Sequence, residues 1–93
     1  MPVGLYLNPP ALTEAIYFEV TEKVQATGPW PPEGMLHHSC FNEGPERMAI
    51  YEVWETQEAM QSFGVERLGP VLEEVGFDAG MPQIVSIVNL IQP

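Results

Sequence analysis

The chain has 93 residues, enough for one domain with a modest hydrophobic core. Thirteen acidic residues against three basic ones give a net charge of −10, so the clustered Lys and Arg that bind nucleic-acid phosphates or anionic membrane surfaces are missing. The longest apolar stretch, from Ile84 to Ile91, is too short to cross a bilayer, and the single cysteine, Cys40, cannot form an internal disulfide, which favours a cytoplasmic protein.

The first third of the sequence predicts a strand, a helix and a stiff loop. Val3 to Leu7 is a short apolar strand that two prolines follow. A helix is predicted from about Thr13 to Thr27, with Thr13 as its N-cap. Its apolar stripe follows four-residue steps: Leu12, Ile16, Val20, Val24. Gly28 to Gly34 contains three prolines and Trp30, and it is predicted to be a stiff loop.

The middle of the sequence predicts a β-hairpin. Met35 to Asn42 forms its first strand, residues 43–46 form the turn, and Arg47 to Glu55 forms the returning strand.

The remainder predicts a second helix and a last strand. The helix begins at the capping residue Thr56, and Gly69-Pro70 is expected to interrupt it because the proline removes a backbone donor. Gly76 is the expected C-cap. The last strand is predicted from Gln83 to Ile91.

The predicted strands carry apolar side chains on both faces, whereas a sheet with one face in water alternates apolar and polar residues. In the third strand the two apolar sets are Met48, Ile50, Trp54 and Ala49, Tyr51, Val53. Right-handed crossovers in a β-α-β-β-α-β chain place both helices on one side of the sheet. Because nothing else in the chain is left to cover the second face, we expect a homodimer in which a copy of the chain covers it.

The segment Val53–Ala59 (VWETQEA) carries a motif. It resembles the V-W-E-S-x-E-A signature of the antibiotic biosynthesis monooxygenase-like proteins, with Thr56 replacing Ser at the helix cap. The longer stretch Ile50–Gly76 is similar to the hairpin strand and second helix of these proteins, which belong to the dimeric α+β barrel superfamily. The resemblance implies one domain over residues 1–93, an α+β ferredoxin-like sandwich that dimerises into an α+β barrel.

Several activities are compatible with this resemblance, because fold membership does not choose among them. The superfamily includes cofactor-independent monooxygenases acting on aromatic polyketides, haem-degrading enzymes and isomerases. Haem-degrading members use an Asn at the end of the first strand, which Asn8 matches, and a Trp and a His on the second helix. This chain has Phe63 and a position near Glu73 there, and its second helix contains no His, so haem degradation of that type is not expected.

The stretch from His37 to Cys40 has the highest density of side chains suited to catalysis or metal binding in the sequence. Because strand side chains alternate, His37 and His38 must point to opposite faces. We expect one of them to face a ligand cavity as a catalytic base and the other to be hydrogen-bonded on the dimer side. His38, Cys40 and Glu52 could share a zinc ion, but two ligands on one strand are a weak signal, and no metal or cofactor is predicted.

Six further side chains are candidates for substrate binding: Asn8, Tyr6, Tyr51, Glu52, Trp54, Phe63. The aromatic ones either line a pocket for a flat apolar ligand or simply pack in the core. Glu52 is a base if it is buried, or otherwise an ion-pair partner or a solvated residue. Asn8 either orients a substrate oxygen or caps the first helix. Trp30 is either a lid over the pocket or part of a surface loop.

The leading hypothesis is a cofactor-independent monooxygenase, or a related enzyme, acting on a hydrophobic small molecule. The deprotonated substrate itself would reduce oxygen, and the protein would supply a dry pocket, a base and oxyanion donors. The alternative is a non-catalytic binding or accessory dimer. A closed pocket that holds one His and at least two other polar groups favours the enzyme, whereas a fully packed interface between sheet and helices favours the alternative.

Overall fold

Four strands form one antiparallel sheet. In the computed structural model, which describes residues 1–93, the strands are β1 (Val3–Leu7), β2 (Met35–Gly44), β3 (Arg47–Trp54) and β4 (Gln83–Ser86). Their order across the sheet is β2-β3-β1-β4. With the helices between them the chain order is β-α-β-β-α-β, the ferredoxin-like α+β arrangement that the sequence predicts.

Two helical segments pack on one face of this sheet. The first is α1 (Glu14–Gln25), and the Thr13 side chain caps it by accepting a hydrogen bond from the backbone N–H of Ile16 at 3.3 Å. The second consists of α2 (Gln57–Phe63), a π-helical turn (Gly64–Leu68) and α3 (Gly69–Val75). None of these helices has the length and apolar character that a membrane-spanning helix requires.

The second helical segment is interrupted by the π-helical turn and not by a kink at the proline. The backbone N–H of Gly69 bonds to the carbonyl of Gly64, five residues back instead of four. Pro70 then lies in the first turn of α3, where its missing N–H costs no helical hydrogen bond. The predicted interruption is therefore present, but it begins five residues before Gly69. Gly76 ends α3 with a left-handed φ of 79°, as expected of a C-cap.

The core lies between the sheet and the two helical segments. Its buried members come from β1, α1, β3, α2 and α3: Val3, Val24, Trp54, Phe63, Val71. Trp54 has no solvent exposure at all. The C-terminal end of β3 therefore lies beneath the second helical segment. Because side chains alternate along a strand, every second side chain of β3 points towards α1 and α2.

Strand β4 is shorter than predicted. It ends at Ser86, whereas the apolar pattern continues to Ile91. Ser86 pairs with Val3, the first residue of β1, and the next backbone N–H, that of Ile87, bonds to the carbonyl of Pro2 at 3.0 Å. Strand β1 begins at Val3, so β4 has no antiparallel partner beyond this point. The apolar residues up to Ile91 therefore do not continue the strand.

The β2–β3 hairpin closes through a two-residue turn, Pro45-Glu46, between the paired residues Gly44 and Arg47. Strand β2 therefore reaches two residues closer to the turn than the sequence predicts, whereas β3 begins at Arg47 as predicted. Glu46 adopts a left-handed φ of 54°, which is strained for a residue with a Cβ. An irregularity between Asn42 and Gly44 shifts the pairing by one residue, and the resulting register places His38 directly opposite Glu52.

The sheet face turned away from the helices is called here the outer face. Its residues are Gly4, Tyr6, His37, Ser39, Phe41, Ala49, Tyr51, Val53, Gln83 and Val85. The expectation that nothing else in the chain covers this face needs correction. Leu90 to Pro93 share a cleft with His37, Tyr51 and Val53, so the C-terminal segment lies along part of it.

Candidate functional site

A cavity of about 320 Å³ lies between the sheet and the helical segments. Fifteen of its 23 lining residues are hydrophobic, so most of its wall offers no hydrogen bond. Cavities of this volume and character hold small, largely apolar molecules.

Four polar side chains that line the cavity are joined by short hydrogen bonds. The Tyr17 hydroxyl lies 2.6 Å from His38 Nε2, and His38 Nδ1 lies 2.7 Å from Glu52 Oε2. The Trp54 Nε1–H donates to the other Glu52 oxygen, Oε1, at 3.0 Å. We call Tyr17, His38, Glu52 and Trp54 the polar relay.

Donors and acceptors in the polar relay fit only one arrangement with a neutral imidazole. The Glu52 carboxylate accepts from Trp54 and from the Nδ1–H of His38. His38 Nε2 is then the acceptor for the Tyr17 O–H. Burial raises the pKa of Tyr17, with a smaller opposing hydrogen bond from Thr21, so the hydroxyl keeps its proton.

Local structure explains why these four side chains meet. The hairpin register pairs His38 with Glu52, and the strand alternation puts Trp54 on the same face two residues later. Tyr17 lies one turn inside α1, where its backbone N–H bonds to the carbonyl of the capping residue Thr13 at 2.9 Å. The polar relay is therefore held by three regular elements and by no long loop.

Aromatic rings surround the polar relay. The Trp30 ring meets the His38 ring edge to face with centroids 6.0 Å apart, and it lies 6.4 Å from Phe63. Phe63 in turn lies 5.5 Å from Trp54, and the Tyr17 ring is nearly parallel to the imidazole at 5.9 Å. Flat aromatic ligands pack well against walls of this kind.

No protein-family model matches the chain, and no curated protein matches it. Solved structures do. A presumed antibiotic biosynthesis monooxygenase from Chloroflexus aurantiacus superposes with a TM-score of 0.68 at 14% identity, over 99% of this chain and 98% of that one. A presumed antibiotic biosynthesis monooxygenase from Caulobacter crescentus gives 0.64 at 15% identity, over 97% and 91%. A Streptomyces coelicolor monooxygenase, solved in complex with nanaomycin D, gives 0.57 at 22% identity, over 99% and 91%.

The chain has the antibiotic biosynthesis monooxygenase-like fold. The predicted α+β ferredoxin-like class is thereby confirmed, and so is the likeness first seen in the VWETQEA segment. Because these structures are less than 25% identical to the chain, they describe its fold, and the chemistry has to be argued from its own side chains.

Within this monooxygenase-like fold, four of the sequence-predicted site residues lie at the cavity: His38, Glu52, Trp54, Phe63. The strand alternation does separate the two histidines. His38 faces the cavity, while His37 lies on the outer face with its Nε2 3.0 Å from Ser39 Oγ.

Tyr6 and Tyr51 pair with each other on the outer face and do not line the cavity. The Tyr6 hydroxyl donates to Glu43 at 2.8 Å, and this hydrogen bond is the main reason that the pKa of Tyr6 is raised. The Tyr51 ring lies over Gly4, where an added Cβ would approach its hydroxyl oxygen to 2.9 Å.

Asn8 also lies outside the cavity and does not cap α1, whose cap is Thr13. Its side-chain oxygen accepts from Arg47 Nε at 2.9 Å, and its carbonyl oxygen accepts from Arg47 Nη2 at 3.1 Å. Asn8 therefore ties the end of β1 to the start of β3.

Tyr17 is the site residue that the sequence reasoning missed. The four-residue stripe Leu12, Ile16, Val20, Val24 drifts around a helix by about 40° at each step. The side chains of α1 that line the cavity are Tyr17, Val20, Thr21 and Val24, which follow the i, i+3, i+4, i+7 pattern of a single face. This pattern in the sequence predicts that Tyr17 lies on the same face as Val20 and Val24.

No group of three or more His, Cys, Asp or Glu side chains in the chain is arranged to hold a metal ion. Cys40, the third member of the zinc set that the sequence suggested, does not line the cavity. Burial raises the pKa of its thiol, with the nearby Glu14 adding to the effect, so Cys40 is a thiol and not a thiolate at neutral pH.

Proposed function

We propose that the chain is a cofactor-independent monooxygenase that oxidises a flat, hydrophobic aromatic molecule bound in the cavity. The observation that carries this proposal is the polar relay, in which an oriented His and a Tyr hydroxyl meet inside an apolar enclosure. One His with at least two other polar groups around a void is the arrangement expected of the enzyme and not of a packed binding module.

The polar relay is suited to removing a proton from the substrate. In the proposed step the Tyr17 oxygen takes a proton from an acidic C–H or O–H of the ligand while the Tyr17 proton moves to His38 Nε2, 2.6 Å away. Glu52, 2.7 Å from His38 Nδ1, stabilises the resulting imidazolium. The Trp54 N–H holds the carboxylate in place from its other oxygen.

The oxidation then needs only the substrate anion and O₂. For a tricyclic substrate with a reactive CH₂ group, the carbanion gives one electron to O₂, and the two radicals combine into a peroxide on that carbon. The peroxide anion takes back the proton held on His38, relayed through Tyr17. The hydroperoxide then loses water, formed from its O–H and the second hydrogen of the carbon, which breaks the O–O bond and leaves a ketone. The CH₂ group and O₂ thus become C=O and H₂O, with one oxygen atom in each product and four electrons passed to O₂.

The apolar wall contributes to both halves of this reaction. Excluding water strengthens the electrostatic interaction between the imidazolium and the substrate anion. The rings of Trp30, Trp54 and Phe63 give a planar ligand surfaces to pack against. A small-molecule ligand is further supported by the Streptomyces coelicolor structure, which was solved with nanaomycin D.

We also propose that the working form is a homodimer joined through the outer face. Phe41 and Val85 on this face are 40% and 41% exposed, and Val88 and Ile91 in the adjoining C-terminal segment are 96% and 78% exposed. Large apolar side chains clustered in this way on a small chain are typical of a protein interface. A symmetric copy offers the same surface and would cover them.

Anthrone, a neutral tricyclic compound with one reactive CH₂ group, provides a direct test. We expect the purified chain to accelerate its conversion to anthraquinone in air, with one atom of isotopically labelled O₂ in the new carbonyl and none of the product formed without oxygen. The uncatalysed rate, measured in the same buffer, is the baseline.

Binding has to be measured beside turnover, because it separates the enzyme from the binding module. If anthraquinone raises the melting temperature but anthrone is oxidised only at the uncatalysed rate, the chain is a binding protein and the proposed chemistry is wrong.

A further inference from the structure

Arg67 has an unusual set of partners for a surface arginine. Its Nε donates to the Thr27 hydroxyl at 2.9 Å, its Nη1 to the Pro29 carbonyl at 2.8 Å, and its Nη2 to the Val24 carbonyl at 3.2 Å. All three acceptors belong to the end of α1 or to the loop that follows it. The guanidinium thus joins the second helical segment to the start of that loop.

This arrangement is not an ion pair. The chain has thirteen acidic residues, yet its two salt bridges are Lys23–Glu74 and His38–Glu52, and neither includes Arg67. The planar fork of an arginine is matched to several fixed oxygen acceptors in a way that a lysine is not. Because its three acceptors are neutral oxygens, Arg67 acts through the geometry of its hydrogen bonds and not through an ion pair.

The backbone on both sides accommodates the guanidinium. Arg67 lies within the π-helical turn, and its guanidinium carbon stands 5.3 Å from the centre of the Phe63 ring. Opposite it is Gly28, where an added Cβ would lie 3.3 Å from that carbon. The absence of a side chain at Gly28 leaves room for the close approach.

The loop that Arg67 holds carries Trp30 to the cavity. Pro29, whose carbonyl accepts from Arg67, directly precedes Trp30, and the Trp30 ring contacts both His38 and Phe63. At the other end of the loop, the Gly34 carbonyl accepts from the backbone N–H of Glu55 at 2.8 Å. Arg67 itself does not line the cavity.

We propose that Arg67 is a positioning residue that holds the loop 28–34 closed, so that the Trp30 ring forms a wall of the cavity and slows the escape of a bound ligand. The ligand half of this proposal rests on the proposed function, whereas the loop half needs no ligand.

Fluorescence quenching by acrylamide tests the loop directly. The chain has two tryptophans, and because Trp54 is fully buried while Trp30 is 36% exposed, the quenchable signal comes from Trp30. In Arg67→Met we expect the quenching constant to rise by up to about threefold, the limit set if a side chain 36% exposed becomes fully exposed by local opening. Lys23→Met is the matched control, since it removes the same charge from an exposed pair outside the loop and should leave quenching unchanged.

A folded Arg67→Met protein with unaltered quenching would overturn the proposal. If Arg67→Met does not fold, Arg67→Lys keeps the charge and loses the forked donors, and it should still raise the quenching constant above that of the Lys23→Met control. Equal values for those two proteins would likewise overturn it.

Dissociation of anthraquinone, followed by stopped flow, tests the second half. We expect Arg67→Met to accelerate dissociation in the natural chain and to have no further effect when Trp30→Ala is already present, because the two residues act through one contact. Equal acceleration in both backgrounds would show a general structural role and contradict the proposal. If the wild-type chain binds no anthraquinone, the proposed function fails, and the quenching comparison alone decides the role of Arg67.

Discussion

At the scale of single residues, the decisive feature is that His38 is held from both sides. Glu52 fixes one ring nitrogen and Tyr17 meets the other, so the imidazole has one orientation and one tautomer available. A base that is oriented in this way needs no rearrangement before it accepts a proton.

The adjacent histidines give a matched pair of variants. We expect His38→Ala to lower the rate of anthrone oxidation by about two to four orders of magnitude, the usual contribution of a general base. His37→Ala should retain nearly the full rate, because His37 lies on the outer face. Oxygen uptake measures both. Equal rates for the two variants would contradict the assignment of His38 as the base.

Tyr17 gives the protein a measurable sensitivity to alkali. Burial raises its pKa above the value of about 10 in the unfolded chain, so the unfolded chain loses this proton first. The stability that the protonated hydroxyl contributes is fully present below about pH 10 and is lost as the pH rises through the higher folded pKa. The free energy of unfolding of Tyr17→Phe should therefore fall less between about pH 9 and 11 than that of the wild type.

Urea denaturation over that pH range measures the difference. Some alkaline slope should remain in Tyr17→Phe, because the pKa values of Tyr6 and Cys40 are raised as well. An unchanged slope would mean that the Tyr17 hydroxyl is not buried as described.

At the scale of elements, the loop 28–34 ends at a residue that only glycine can supply. Gly34 has a φ of 89°, and an added Cβ would lie 2.8 Å from the Cβ of Ala59. Gly34→Ala should lower the free energy of unfolding by about 2 kcal/mol or more, since the left-handed backbone alone costs 1–2 kcal/mol. Gly44→Ala is the control, because nothing lies within 4 Å of an added Cβ there. Chemical denaturation of the two variants makes the comparison, and similar losses would contradict it.

The elements also show how far sequence reasoning reaches. Strand alternation was enough to separate His37 from His38, because it depends on local geometry alone. The pairing of His38 with Glu52 was not predicted by the four-residue turn, since it depends on the two-residue turn and on the irregularity between Asn42 and Gly44. The end of β4 was not accessible in this way, since it depends on where β1 begins, more than eighty residues away. Tyr17, the partner of His38, was missed for a different reason: the four-residue stripe drifts around α1, whereas the i, i+3, i+4, i+7 pattern that contains Tyr17 is present in the sequence.

At the scale of the whole molecule, the chain has one face occupied by its own helices and one face only partly covered by its C-terminal segment. The cavity belongs to the first face and the proposed dimer contact to the second. The proposed catalysis and the proposed assembly can therefore be disturbed separately.

A charge on the outer face tests the assembly. We expect the wild type to sediment as a dimer at micromolar concentration and Phe41→Glu to sediment as a monomer, because the charge would be buried without a partner. Phe18→Glu is the control, since Phe18 is 58% exposed on α1 and lies off the sheet. A wild-type protein that sediments as a monomer would contradict the proposed dimer.

A substitution in the hairpin turn is expected to stabilise the protein. Glu46 adopts a left-handed backbone that asparagine tolerates better than glutamate, and it lies at the far end of the hairpin from Trp54. Glu46→Asn should raise the melting temperature by a few degrees, in line with about 0.5–1 kcal/mol of relieved strain in a domain of this size. Variants of the polar relay that are too unstable to purify alone could then be prepared in that background.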